Sequence, residues 1–353
     1  MNRMIALADR SALPLLKLVA AINLLFLLAF AAMLVAAVDV ARAEIAVCTG
    51  KDMLAELRQA DPSKYAAVEA EAAKVENGEG LLWKVEKAGV APSFLFGTMH
   101  VTDPRVTTLT PSAQAAYDAA GTVVIETTEV LDRNKMLASL MQKPELMMFT
   151  DKTTLASLIP ADEVDFVNKA LEARGIPPYS VAKMKPWVIT TMLSLPACEL
   201  QRKAGGAPVL DAKLAQDAVA GGKKLEGLET AAEQLEAMAS LPIELHIKGL
   251  IDTLKVGDRI NDANETMILL YVSGEIGTVW PLFRATLPGG YDDVAFEKTM
   301  ITMRNHTMVQ RAGSILDAGN AFIAVGAMHL PGPEGLVSLL RKEGYTVSRA
   351  DQG

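Results

Sequence analysis

The apolar positions change period along the chain, and the changes mark out its elements. Residues 51–78 are helix-forming and Ala/Glu-rich, which predicts a helix ending at the Asn77-Gly78 turn. Leu81-Leu82-Trp83-Lys84-Val85-Glu86 partly alternates, and Ser93-Phe94-Leu95-Phe96 leads straight into Gly97. Both read as strands, joined by a hairpin loop over 88–92. A short amphipathic helix is expected over Pro111 to Ala120. After Gly121 the run Thr122-Val123-Val124-Ile125 reads as a buried strand ending at Glu126. Residues 130–204 read as mainly helical, broken at Pro160, at 175–178 and at Gly205-Gly206. A helix opens at Leu210-Asp211 and closes at Gly221-Gly222, and a short strand follows over 224–229. Residues 230–285 are helical again, with breaks at Pro242 and Gly274. The last third repeats the grammar: a helix over 292–318, the buried strand Ala321-Phe322-Ile323-Ala324-Val325, a helix over 334–342 and a strand over 345–348.

Strands alternating with helices predict an α/β (α+β) fold, a central mixed β-sheet wrapped by helices. The helical stretches at 130–204 and 230–285 are too long for simple crossovers and predict a largely helical cap. One segment stands outside this alternation. Residues 18–38 carry no charge over 21 positions, where a secretory h-region spans about 7–15 and a membrane span about 20. Ala41-Arg42-Ala43 behind it has the small residues of a cleavage site. Two readings stand: a signal peptide removed after Ala43, and a retained inner-membrane anchor through residues 18–38. Arg3, Arg10 and Lys17 precede the run, so in both readings the N-terminus stays in the cytoplasm. The remainder, a single domain over 44–353, is then exported and periplasmic, free or anchored facing the periplasm.

Charge and cysteine content narrow the partners. The 353 residues carry 34 basic and 42 acidic side chains, a net charge of −8 that becomes −10 without residues 1–43. An acidic exported part argues against a nucleic-acid partner. Half the positions are apolar, which excludes a disordered chain. The oligomeric state is not legible. Cys48 and Cys198 both fall in the exported part, and an even pair in an oxidising compartment predicts a disulfide. Two buried thiols are the alternative.

The candidate chemistry sits behind the strands. His100 and His329 share one frame, Gly97-Thr98-Met99-His100 and Gly326-Ala327-Met328-His329, and each frame follows a strand read as buried. Ligands of α/β sheets bind beyond the carboxyl ends of the strands. A glycine there permits a left-handed turn, and the histidine three residues on can fold back over the strand end. Glu126 stands at a third strand end and Glu229 at a fourth. Two imidazoles and two carboxylates at adjacent strand ends form a candidate divalent-metal or acid–base site. Taken singly, each Gly-x-x-His is a turn and each glutamate a helix-start charge; their joint occurrence favours the site. It requires the strands before His100 and His329 to be parallel neighbours. His246, between Leu245 and Ile247, reads as structural, and His306 has no assigned role. No Gly-x-Ser-x-Gly, phosphate-loop or His-Glu-x-x-His pattern occurs.

The run Phe94 to Arg105 (FLFGTMHVTDPR), with Val325 to Gly332 (VGAMHLPG), resembles the TraB/GumN family, the group that contains the Tiki proteases. Between the two runs, Cys198-Glu199, Leu210-Asp211, Gly227-Leu228-Glu229-Thr230, Glu233-Gln234 and Arg304-Asn305 match in order, so the likeness extends from about residue 48 to 349. The resemblance implies an erythromycin-esterase/ChaN-like fold and a metal site built from His100, His329 and Glu126. Manganese or cobalt is the implied ion, with zinc an alternative. Arg304 and Asn305 are implied as polar groups that orient ligands or substrate. The expected activity is metal-dependent hydrolysis of a peptide or small ester, with Glu126 or Glu229 as base and Arg304 at the developing oxyanion. The competing expectations are a haem- or metal-binding envelope protein without catalysis, and a partner-binding module in envelope signalling or polysaccharide export.

Overall fold

Six strands pair into one mixed sheet in a computed structural model that describes residues 47–132, 142–289 and 294–351. They are β1 (Leu82–Glu86), β2 (Ser93–Thr98), β3 (Thr122–Ile125), β4 (Lys224–Gly227), β5 (Ala321–Gly326) and β6 (Thr346–Arg349), in the order β4-β3-β5-β2-β1-β6. The β1–β2 hairpin is antiparallel, and β6 adds antiparallel to β1. β2, β5, β3 and β4 are successive parallel neighbours. A parallel sheet covered on both faces needs apolar residues at every position of its strands. β5 is the clearest case, buried from Ala321 through Val325.

The helices follow the predicted order with more breaks. The helix expected over 51–78 is two, α1 (Met53–Ala60) and α2 (Pro62–Ala72). Pro62 cannot continue α1 but suits the first turn of α2, where the Asp61 carboxylate accepts from Lys64 N. α3 (Pro111–Ala119) falls where expected. The stretch 130–204 holds less α-helix than predicted: α4 (Val164–Glu172), α5 (Pro186–Leu193) and α6 (Ala197–Ala204) are separated by turns and short 3-10 helices. The prolines at 144, 160, 177 and 178 remove donors and restrict their neighbours, so the intervening apolar residues pack from loops. Residues 133–141 of that stretch lie outside the described ones. α7 (Leu210–Ala220) leads into β4, and 230–285 divides into α8 (Ala231–Ala239), α9 (Ile243–Val256), α10 (Ile260–Ser273) and α11 (Val279–Thr286). The unexpected break, between α9 and α10, falls at Gly257, whose φ of 59° ordinary residues avoid. The helix expected from 292 has its regular part as α12 (Met303–Ala318), entered through a wide π turn at Lys298–Thr302; α13 (Leu336–Lys342) is the last of the longer helices, and single turns at Pro104–Thr107 and Val294–Glu297 are left unlabelled.

Each sheet face has its own core. Phe96, Val123, Ile125, Phe322 and Ala324 pack under α3 and α7, while Leu95, Val124, Ile323 and Val325 pack under α12 and α13. α4, α5 and α9 enclose a separate apolar cluster around Leu171, Ile189 and Leu250, and α1, α2, α10 and α11 another around Met53 and Leu282. The first cluster and the α10–α11 side of the second are drawn from the stretches expected to form a helical cap; α1 and α2, which complete the second, lie outside them. The signal or anchor expected at residues 1–43 lies outside the described residues. Among the described residues no helix is long and apolar enough to cross a membrane.

Cys48 and Cys198 are bonded, with Cα atoms 5.3 Å apart, so the segment before α1 is clipped to the start of α6. Closing a loop of 150 residues removes much unfolded-state freedom, and loss of such a bond costs about 2–5 kcal/mol. Reduction, or Cys198→Ala, is expected to lower the urea midpoint accordingly. An unchanged midpoint would mean that the bond constrains neither state.

Candidate active site

The parallel register sets the site. Thr98 at the end of β2 pairs with Gly326 at the end of β5, and Ile125 of β3 lies beside Ala324 of β5 and Gly227 of β4. The next residues along these four strands carry His100, His329, Glu126 and Glu229, all leaving the same edge of the sheet. Both glycines of the paired frames lack a positive φ; that of Gly326 is −51°. Their role is close approach rather than the left-handed turn expected from the sequence. A Cβ on Gly97 would stand 2.8 Å from Leu330 Cδ1 and 3.0 Å from Ala327 Cα. One on Gly326 would enter the space between the functional groups: 3.2 Å from Glu126 Oε1, 3.5 Å from His329 Cδ2 and 3.9 Å from His100 Nε2.

Each imidazole is held from behind. His100 Nδ1 donates to Asp211 Oδ2 at 2.9 Å, and Asp211 also accepts from Thr98 Oγ1 at 2.7 Å. His329 Nδ1 lies 2.6 Å from Asn305 Oδ1, and the Asn305 amide donates to the carbonyls of His329 and Glu334. That orientation makes the Asn305 oxygen the acceptor and His329 Nδ1 the donor. His329 therefore keeps its Nε2 lone pair on the side toward Gly326, and His100 Nε2 faces the same space, free to ligate once its second proton is lost. Asn305 is fully buried and positions His329 from outside the cavity. Asp211 has the same relation to His100, and only the Leu210-Asp211 dipeptide hinted at it in the sequence.

The carboxylates are held by one cation. Arg304, in the first turn of α12, donates from Nη2 to Glu126 Oε2 at 2.8 Å and to Glu229 Oε2 at 2.7 Å, with Nε shared across Glu229. Its Nη1 donates to Met300 O, so all three guanidinium nitrogens are engaged. Gln234 adds a donor to Glu126. Glu126 Oε1 accepts from Gly326 N at 2.7 Å and stands 3.8 Å from His329 Nε2. Glu229 is shielded behind Arg304 and does not line the cavity in front of the strands.

Burial alone would raise Glu126, but the His329 and His100 imidazoles and the Arg304 guanidinium overcome it and hold the carboxyl at about 2. The Asp211 carboxylate, against burial, raises His100 to about 9. Burial pushes His329 down to about 4, against the pull of Glu126. His329 is thus neutral, and Glu126 ionised, at neutral pH. In front of them opens a cavity of about 470 Å³, walled by α9, α10 and α11 through Thr253, Met267, Tyr271, Trp280 and Phe283. The His100 ring, 59% exposed, stands on its wall. The remaining histidines lie elsewhere: His306 pairs with Glu334 at the surface, and His246 is buried in the cap.

No group of three His, Cys, Asp or Glu side chains among the described residues stands in ready-made metal-holding geometry. The donor chemistry nevertheless fits a divalent ion. Two neutral-capable Nε2 atoms and one ionised carboxylate surround Gly326, and the 3.8 Å between His329 Nε2 and Glu126 Oε1 suits donors each about 2.0–2.2 Å from one ion. Acceptors behind metal-binding imidazoles fix tautomer and orientation in this way.

A family model described as "TraB/PrgY/gumN family" matches residues 81–349. Metalloprotease TIKI2 from Danio rerio is 25% identical over 319 residues, covering 75% of this chain and 60% of the relative. Metalloprotease TIKI1 from Homo sapiens is 26% identical over 321 residues, covering 77% and 62%. The chain thus spans about 60% of the length of these curated relatives. No solved structure matches it.

Removing Arg304 would leave buried Glu229 without its guanidinium partner and Glu126 with only the imidazoles, and breaking a buried pair costs about 3–5 kcal/mol. Arg304→Met is expected to lose that much in urea unfolding, and Glu229→Gln in the same chain to recover part of it. An Arg304→Met chain as stable as wild type would refute the charge cluster as drawn. In chelator-treated protein the pH dependence has three parts. The Glu126 contribution is present above 4.5 and lost as pH falls toward about 2. For His329 the unfolded chain binds the proton first, so stability falls as pH drops from 6.5 to about 4. His100 has the opposite sign, contributing fully below 6.5 and losing that contribution as pH rises through about 9. Glu126→Gln should flatten the urea-midpoint profile below pH 4.5; an unaltered profile would place the acid sensitivity elsewhere.

Proposed function

The chain belongs to the TraB/PrgY/gumN family, and on that premise we propose that it is an exported metal-dependent peptidase working at the shared edge of β2, β5 and β3. The observation that carries this reading is the ring of His100 Nε2, His329 and Glu126 around the Cβ-less Gly326. Similarity to relatives named as metalloproteases supports it. His100, His329 and Glu126 would hold the ion, with manganese or cobalt the first choice and zinc the alternative. When bound, a divalent ion supplies Lewis-acid polarisation of a scissile carbonyl.

The chain's own residues do the rest. Asp211 and Asn305 keep a proton on each Nδ1, so that Nε2 is the ligating atom; in His329 it is already free, and in His100 the ion would displace the second proton that Asp211 favours. Arg304 and Gly326 N fix the Glu126 carboxylate in one orientation. A carboxylate held at about 2 is a weak base near neutral pH, so Glu126 serves as ligand rather than as proton acceptor. Glu229 engages Arg304 through both of its oxygens, which makes it a positioning residue. Arg304, engaged at all three nitrogens, acts by holding Glu126 in place of stabilising an oxyanion. The apolar walls exclude water, and about 470 Å³ is within the range of pockets that enclose a small ligand; a peptide is preferred to a small ester because the relatives are named metalloproteases. The bonded Cys48–Cys198 pair supports an oxidising compartment.

The test is hydrolysis of a peptide library by the chain. Chelation is expected to abolish it, and Mn²⁺, Co²⁺ or Zn²⁺ added singly to restore it. His100→Ala and His329→Ala should each lose more than about a hundredfold, and Asp211→Asn about 10–100-fold, as supports behind metal ligands do. Activity that survives chelation or His329→Ala would sink the reading. A Soret band in the isolated protein would replace it with haem binding.

A further inference from the structure

One polar side chain of the cavity wall is left over once the hydrogen bonds are assigned. Asn264 of α10 is 5% exposed and lines the cavity in front of the strand ends, beside Ile260, Ala263 and Met267 of the same helix. Other polar groups of that wall are engaged: Thr98 with Asp211, Ser194 with Thr190 O, Tyr271 with Gly97 O, and Arg304 with both glutamates. The Asn264 carboxamide makes no hydrogen bond to any described residue. It is not sealed off either. The unpaired buried polar atoms without accessible surface are His246 Nδ1 and Thr253 Oγ1 of α9, so the Asn264 carboxamide opens on the cavity.

The fold gives no reason for an asparagine there. It is the fifth residue of α10, past the position at which asparagine caps a helix. Its side chain does not turn back on the helix, as that of Thr266 does to Asp262 O. Asparagine is a poor helix former, and a dehydrated amide without a partner is destabilising. The other side of the helix is tied down: Asp262 and Thr266 accept from the Lys51 and Met53 amides, and Glu265 from Arg105. The carboxamide is therefore presented on a fixed wall. Tyr271, whose hydroxyl reaches the end of β2, is two turns further on, about 10 Å along the axis. Asn264 has no hydrogen bond to His100, Glu126, Arg304 or His329, so it stands outside the charge cluster.

The chemistry of the group selects its ligand. A carboxamide offers one acceptor oxygen and two donor hydrogens in one plane. A hydrocarbon would leave both unpaired, and a carboxylate would use the donors alone. A peptide unit offers the matching N–H and C=O, and both need partners when an apolar wall displaces their water. We propose that Asn264 is a substrate-binding residue whose carboxamide pairs with one main-chain peptide unit of a segment lying in the cavity. This rests on the peptidase reading for its substrate class. The pairing is indifferent to substrate side chains and acts on binding, so its loss raises KM and leaves kcat in place.

The test is calorimetric binding of acetyl-leucyl-leucine methylamide to the full chain bearing His100→Ala, so that nothing is cleaved. Three analogues, each with one N–H replaced by an ester oxygen, are compared with it. One ester should bind at least tenfold more weakly than the parent. Adding Asn264→Leu should weaken the parent by a similar factor and cost that ester nothing further. The urea midpoint should hold or rise, because an apolar side chain replaces an unpaired amide; Asn264→Ala serves if the leucine variant does not fold. A parent peptide that does not bind, binding unchanged by the substitution, or an ester penalty that persists in the variant overturns the pairing. Asn264-dependent binding without hydrolysis of any peptide by the wild-type chain leaves the pairing standing and overturns the peptidase reading. Hydrolysis of the peptide library with KM unmoved by Asn264→Leu does the reverse.

Discussion

The parallel pairing of β2, β5, β3 and β4 is the constraint on which the site depends. Strand ends that leave one edge at neighbouring positions bring together residues as distant in sequence as His100 and His329. A slip of one residue in any of these ladders would turn every side chain to the other face, and Glu126 would lose Gly326 N. Val123 and Val124 point into different cores, so a slip would exchange side chains between two close-packed layers of different shape. Close packing fixes the register further at Gly97, where any side chain would collide with the turn after β5.

Beyond the ladder, electrostatics takes over. Two carboxylates at adjacent strand ends repel each other and lose hydration on burial. A single guanidinium resolves both problems, because its planar fork can engage Glu229 with Nε and Nη2 while Nη2 also reaches Glu126. A lysine has no such fork. The cluster is therefore a unit whose structural and functional parts are not separable: Glu229 holds Arg304, Arg304 holds Glu126, and of the two carboxylates only Glu126 faces the cavity.

The sheet was largely legible because buried parallel strands are short apolar runs with glycine at their ends, and Ala321 to Val325 has no other reading. Joint placement of His100, His329, Glu126 and Glu229 was legible for the same reason, since each directly follows such a run. What each residue does there was not. Glu229 and Arg304 look catalytic by type, and only their mutual contacts show that both are engaged with one another. Asp211 and Asn305 are polar residues in helices, and nothing local distinguishes them from surface groups. The breaks around α4 and α5 were underestimated because apolar periodicity there comes from loop residues packing into the cap. The unpaired Nδ1 of His246 is invisible in sequence, where a histidine between two aliphatic neighbours reads as core.

The disulfide bears on the site through α6. His100 lies two residues past the last ladder pair of β2, so the sheet alone does not fix its backbone. α6 does: Glu199, beside Cys198, accepts from Thr102 N at 2.7 Å and Thr102 Oγ1 at 2.8 Å, and Lys203 one turn on donates to His100 O at 3.0 Å. Arg202 on the same helix reaches Asp103. The segment carrying His100 is thus bracketed by β2 on one side and by three side chains of α6 on the other. Cys48 anchors the N-terminal end of that helix to the segment before α1; the Lys51 amide of that segment and the Met53 amide at the start of α1 bond to Asp262 and Thr266 of α10. α10 in turn walls the cavity and sends Tyr271 OH to Gly97 O at 2.8 Å. The chain of contacts closes on the strand end where it began, so the covalent clip and the His100 turn constrain the same cavity from opposite sides.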